Sequence, residues 1–187
     1  MEDGTFPEQA RGAFAGLLEQ CRATAERVKA LEAKIVAHAR RSDTAQRLVT
    51  VPGTGPITAS LIAATIGGNI GPFWSARHFA ASLGPVPRQH STGGKTRLGR
   101  ITKAGDRQIR TLLVLGATSM VYRAGAWNSA AGAWTRGLLA WRPVRLVTVT
   151  VTLALANKMA RIAWALMTRD EVYRAEGRSA AASTAMA

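Results

Sequence analysis

A heptad spacing runs through Phe14, Leu17, Cys21, Thr24, Val28, Leu31, Ile35 and His38, with Glu19, Arg22, Glu26, Arg27, Lys29, Glu32 and Lys34 between them. A stripe recurring every third and fourth position is one face of a helix, so residues 14–38 are expected to form a two-faced helical arm. Its seam needs cover, either from a second copy of the chain in a coiled coil or from the chain's own domain. Thr24 and His38 weaken that seam.

Downstream, "TAQRLVTVPGTGPITASLIAATIGG" predicts a short apolar helix ending near Val51, a tight turn Pro52-Gly53-Thr54-Gly55, and a second helix with Pro56 in its first turn. This is the helix-hairpin-helix pattern. Its glycines, Gly53 and Gly55, let backbone approach a phosphate without a Cβ in the way, and the amides opening the second helix would face that phosphate. Such a contact reads the nucleic-acid backbone and not its sequence. A glycine turn joining two core helices is an equally good reading, since the turn holds no Lys or Arg.

Ser75 is expected to cap a helix through "ARHFAASL" that stops at Gly84-Pro85, and Asp106 to cap the next. That next helix has its apolar face at Ile109, Leu112, Leu113, Gly116, Ala117, Met120 and Val121. A last long helix, about residues 144–168, carries the stripe Val147, Val151, Leu155, Met159, Ile162 and Leu166. Its opening "LVTVTVTL" alternates like a strand, but the helical stripe continues past it. Trp127, Trp134 and Trp141 are expected as core or interface anchors on the helix between, with base stacking as the alternative.

The fold class that follows is all-α: a helical domain over residues 43–174 containing the helix-hairpin-helix, preceded by a polar leader (1–13) and the arm (14–42). The tail from residue 175 has nothing to bury and is expected to be disordered. "MEDGTFPEQ" is acidic and polar, unlike a secretory signal, and Asn157, Lys158 and Arg161 interrupt the one apolar run that could suggest a membrane span.

Charge then narrows the partner. The 187 residues carry 25 Lys and Arg against 11 Asp and Glu, a formal net charge of +14, which favours a polyanion and above all nucleic acid. Cys21 is the only cysteine, so no internal disulfide can form, as suits a reducing cytoplasm. His38, His78 and His90 are scattered and suggest no metal cluster.

The charge is concentrated in "PVPRQHSTGGKTRLGRITKAGDRQIR", residues 85–110, where Arg88, Lys95, Arg97, Arg100, Lys103, Arg107 and Arg110 face one acid, Asp106. A basic loop of this density is expected to contact phosphates. Arg107 and Arg110 fall in the first turn of a helix, where the dipole disfavours cations. They fit best if an incoming phosphate uses both them and the turn's amides.

The segments "VPGTGPITASLIAATIG", "FAASLGPVPRQHSTGGKTRLGRITKAGDRQIRTLLVLGA" and "ALANKMARIAWALMTRDEVYR" together resemble the C-terminal half of transposases of the insertion sequence 110/116/902 family. The resemblance covers about residues 14–174. It implies a serine nucleophile that acts with an N-terminal RNase H-like domain of four carboxylates, a coiled coil, and a structured guide RNA that selects donor and target DNA.

Carried onto this chain, the resemblance puts the nucleophile in the "HSTGG" turn, at Ser91. Relatives often have two serines in that turn; Thr92 stands at the second position here and is an alternative. Without the resemblance, Ser91 would read as a turn residue bonding its own backbone. Attack by a serine hydroxyl on a phosphodiester conserves bond energy in a phosphoserine link, and Lys95, Arg97 and Arg100 would stabilise charge developing on the phosphate.

No segment resembles the carboxylate domain, and between Thr44 and Arg169 the only carboxylate is Asp106. The expectation is therefore a truncated, split or excised transposase with no metal site of its own, Mg2+ being held only by the absent domain. Expected partners are DNA at the element ends and target, a guide RNA and a second copy of the chain through residues 14–38. The expected location is the cytoplasm, at the nucleoid. A non-catalytic nucleic-acid-binding relic is the alternative.

Overall fold

The first helix runs on past its predicted bounds. In a computed structural model describing residues 8–67, 69–90, 94–95, 98–126, 130–140 and 144–174, α1 spans Glu8–Arg41, about 50 Å at 1.5 Å per residue. Ser42 ends it and begins α2 (Asp43–Val49), its hydroxyl accepting from the Ala45 amide at 3.3 Å. α2 stops two residues short of the predicted Val51. There the Thr50 hydroxyl donates back to the Arg47 carbonyl at 2.6 Å and closes the last turn. After the turn at 50–55 comes α3 (Pro56–Ile66), with Pro56 at the first helical position.

Both predicted caps form. Ser75 accepts from the His78 amide at 3.1 Å and starts α4 (Ala76–Ser82). Asp106 accepts from the Gln108 and Ile109 amides at 2.7 and 2.9 Å and starts α5 (Arg107–Tyr122). A 3-10 turn (Ala124–Ala126), α6 (Ala130–Ala140) and α7 (Val144–Arg169) follow, and the expected tail from residue 175 lies outside the described residues. The strand-like "VTVTVTL" is helical because Val151, Leu155, Met159 and Leu166 all reach the core from one face of α7. Trp134 lies on α6, whereas Trp127 and Trp141 lie outside the described residues.

Among the described residues the fold is all-α except for one ribbon inside the basic segment. Strands β1 (Pro87–Gln89) and β2 (Leu98–Ile101) pair antiparallel with Pro87 opposite Ile101 and Gln89 opposite Leu98, and the register is irregular between them. The expected basic loop is thus a strand pair over part of its length. Strands of three and four residues containing Pro, Gly and two arginines carry no alternation by which to recognise them.

α7 is the central element, packed on α2, α4, α5 and α6. Its Leu155 and Met159 are almost wholly buried, as are Leu48, Val51, Ile62, Phe79, Ile109 and Leu113 of the elements before it. The Trp164 indole N–H donates to the Phe73 carbonyl at 3.1 Å. Beyond α7, Arg47 pairs with Asp170 and the Tyr173 amide donates to Thr50 Oγ1 at 2.9 Å, so the chain returns to the end of α2.

Among the described residues α1 meets this body at its C-terminal end, on α2 and α3. Ala39 is buried, and the Ser60 hydroxyl donates to the Ile35 carbonyl at 3.5 Å. Phe14, Leu17, Leu18, Val28 and Leu31 remain exposed, Leu31 at 58%. Of the two covers open to the seam, the described part of the chain's own domain supplies the last turns.

Candidate nucleic-acid interface

The basic segment stands on a stem built from two glycines. α4 runs out at Gly84 (φ +77°), and the returning strand meets it at Gly105 (φ +73°). A Cβ at Gly84 would lie 2.5 Å from the Ala104 carbonyl oxygen, and one at Gly105 would land on the Ser82 carbonyl. Both sites thus need left-handed backbone and the absence of a side chain, which only glycine supplies. Cross-bonds complete the stem: the Thr102 amide donates to Val86 O at 3.0 Å and the Lys103 amide to Gly84 O at 3.3 Å.

Arg110 ties this stem to α5. Its Nη1 donates to Leu83 O at 2.9 Å and to Ala104 O at 2.8 Å, one carbonyl on each side of the stem. Because Asp106 already takes the Gln108 and Ile109 amides, the first turn of α5 does not hold those two out to a phosphate as the sequence reading supposed. Arg107 there is exposed and presents its side-chain charge alone.

The remaining basic residues divide clearly. Lys95, Arg100 and Lys103 are exposed on the ribbon and its stem. Lys103 adopts φ +55°, uncommon for a residue with a Cβ. Arg88 is also exposed and reaches Thr102 O at 3.4 Å through Nη2. Arg97, Ser91 and Thr92 lie outside the described residues; in the chain they fall between β1 and β2. The His90 imidazole lies across the ribbon on Gly99, where a Cβ would stand 3.1 Å from its Cδ2.

The turn at 50–55 has a different character. Gly53 (φ +80°) faces inward: a Cβ there would stand 2.7 Å from Met120 Sδ and 3.0 Å from Met159 Cε. Reciprocally, a Cβ at Gly116 of α5 would fall on the Gly53 carbonyl oxygen. Gly53 is thus accounted for by packing against α5, as a turn between core helices requires. Gly55 is exposed, has open space at its Cβ position and begins α3 without a side-chain cap. The Gly116 contact lies about 14 Å along α5 from Arg107, at 1.5 Å per residue.

Among the described residues no three His, Cys, Asp or Glu side chains come together in a way that could hold a metal ion. Among them, too, no helix is long and apolar enough to cross a membrane. Gly84 and Gly105 flanking a basic run are the sequence signal for this closed stem, whereas Arg110's tie leaves none in the sequence.

Residues 45–132, which contain the turn, the ribbon and α5, match the sequence profile described as Transposase IS116/IS110/IS902 family. A Pseudomonas aeruginosa protein named as a family 20 transposase is 49% identical over 148 residues, covering 79% of this chain and 42% of that protein. The Sinorhizobium fredii protein y4pF/y4sB, also named as a transposase, is 44% identical over 95% of this chain and 45% of its own length. The Yersinia enterocolitica transposase for insertion sequence element IS1328 is 42% identical over 79% of this chain and 43% of its own. The chain spans less than half the length of these relatives. Through residues 45–132 and these relatives, the chain belongs to the IS116/IS110/IS902 transposase family.

Proposed function

We propose that the chain is the DNA-binding, serine-bearing part of an insertion-sequence transposase. The observation that carries this is the ribbon: Arg88, Lys95, Arg100 and Lys103 are exposed around it, on a stem fixed by Gly84, Gly105 and Arg110. A rigid stem holds charge in place, so little ordering remains to oppose binding. The hydroxyl of Ser91, or of Thr92, attacks a DNA phosphodiester. An Oγ–P bond forms, the P–O bond to one sugar breaks, and the sugar oxygen leaves with a proton. Attack by a sugar hydroxyl reverses the step and rejoins a strand.

Gly55 at the start of α3 adds a backbone contact to phosphate, and a structured guide RNA selects the DNA. Mg2+ belongs with a carboxylate domain that residues 1–187 do not contain. It would stabilise the phosphate and the leaving oxygen. A protein that acts on DNA in this way belongs in the cytoplasm, at the nucleoid.

A second reading is a non-catalytic relic that binds the same nucleic acid. It is favoured by Asp106, the one carboxylate between Thr44 and Arg169, being engaged as a helix cap. Trapping a phosphoserine adduct on a nicked suicide substrate, with the carboxylate domain of a longer relative added, separates the two: an adduct supports the first and its absence the second.

Binding itself is expected to be directed at the backbone and sensitive to salt. Arg100→Ala should lower the slope of log K against log salt by about one unit with little change in stability. Arg110→Ala should behave differently. It removes two charge-assisted bonds in the stem and should lower stability by about 2 kcal/mol. Equal salt slopes for Arg100→Ala and parent would remove the ribbon as the binding surface.

Assembly follows from the uncovered seam of α1. Pairing through residues 14–38 gives at least a dimer, as bringing two DNA sites together requires. Leu31→Asp should shift the dimer to monomer in sedimentation at micromolar concentration, because a charge in the seam has no partner. A monomeric parent would refute the pairing.

A further inference from the structure

We infer that Trp74 is a stacking platform for an unpaired base of a nucleic-acid strand, a proposal that rests on the nucleic-acid reading above. Trp74 is 79% exposed, yet one face of its ring rests on a neighbour. It stacks on the His78 imidazole at 5.2 Å with 25° between the planes. His78 in turn meets Phe73 at 5.9 Å, and Phe73 meets the fully buried Phe79 edge-on at 5.1 Å. An aromatic ladder thus rises from the core and ends in an indole whose outer face is open.

Phe73 belongs to the core, but the two outer members of the ladder add little to the fold. An exposed indole forgoes burial, and His78 Nδ1 is buried without a hydrogen-bond partner, which is a cost. The imidazole sits there for its faces, one toward Trp74 and one toward Phe73. A rigid, outward aromatic face supported at the expense of stability is what sequence-tolerant stacking of a base requires.

Charge decides between a base and an apolar protein surface. Arg77 is exposed on the same stretch, and Asp106, the one carboxylate from Thr44 to Arg169, sits at the far end of the stem. The partner is therefore anionic as well as aromatic. Spacing agrees: α4, seven residues long, separates Trp74 from the stem by about 10 Å. That is roughly three steps of a strand at 3.4 Å per nucleotide. A strand with its phosphates on the ribbon reaches Trp74 with a nearby base.

The test uses the full chain with thymidine and uridine oligonucleotides of about twelve nucleotides and a duplex of equal length, at one salt concentration. Affinity and tryptophan quenching are read for parent, Trp74→Phe and Trp74→Ala. Expected is a loss of about tenfold in single-strand affinity for Trp74→Ala, near-parent affinity for Trp74→Phe, and unchanged duplex affinity. Quenching in the parent should exceed that in Trp74→Phe. A larger loss on the thymidine strand identifies DNA as the source of the base, and on the uridine strand RNA. Single-strand affinity unchanged in Trp74→Ala overturns the platform and leaves Trp74 as a protein contact. Failure of the parent to bind any of the three probes overturns the nucleic-acid reading with it.

Discussion

Gly116→Val is expected to lower the melting temperature by at least about 6 °C, and to leave part of the chain insoluble. The two added methyls and the Cβ have nowhere to go. A Cβ at Gly116 alone falls on the Gly53 carbonyl oxygen and stands 3.2 Å from Met159 Cε. The methionine could rotate away, but the carbonyl is backbone in a turn whose Gly53 is itself pressed on Met120 and already at φ +80°. α5 would have to leave the turn, which would uncover Met120 and Met159, both now buried. Overpacking that displaces only side chains costs about 1–3 kcal/mol, so a backbone collision should reach the top of that range or beyond. At about 2–4 °C per kcal/mol for a chain this long, the shift should be plain in a calorimetric or circular-dichroism melt. Gly55→Ala is the control. That position is exposed with open space at the Cβ, and its melting temperature should stay within about 2 °C of the parent. A Gly116→Val chain melting like the parent would mean the turn is not seated on α5.

The contrast between those glycines shows where sequence reasoning stopped. Gly53 and Gly55 look alike in "VPGTGP", and either could serve a phosphate or a packed turn. Only the partner decides, and Gly116 lies far off in the sequence. Caps were legible because they are local: Ser75 and Asp106 bond amides within three residues. The α7 stripe was legible for a similar reason, since one periodicity recorded one buried face. The ribbon was not, since its pairing is specified by a stem of crossing glycines and an arginine, not by alternation within strands. Arg110 illustrates the cost of counting charge without geometry. As sequence it was one of seven phosphate contacts, whereas its guanidinium bonds two carbonyls. Trp74 drew no notice, because a lone tryptophan in a loop reveals neither its exposure nor the histidine beneath it.

The chain alone, in magnesium with supercoiled DNA, is expected to bind but to nick at no useful rate. The Ser91 hydroxyl is a weak nucleophile at neutral pH and needs a base. Its neighbour His90 is the only candidate adjacent in sequence, and that imidazole lies across the ribbon on Gly99. Expulsion of the sugar oxygen needs an acid or a metal ion. Asp106, the nearest carboxylate in the chain, is held by the Gln108 and Ile109 amides as a helix cap. Arg100 and Lys95 neutralise phosphate charge but place no proton on the scissile bond. Losing one electrostatic donor costs roughly 10²–10³ in rate, and a metal site that serves both the attacking and the leaving oxygen should cost more. Adding the carboxylate domain of a longer relative should therefore raise nicking by more than about 10³, an increase that Ser91→Ala abolishes. If Thr92 is the nucleophile, Thr92→Ala should abolish it instead. Robust nicking by the parent alone that disappears in Ser91→Ala would show that the ribbon site is self-sufficient, with the proton transfers carried by groups of this chain.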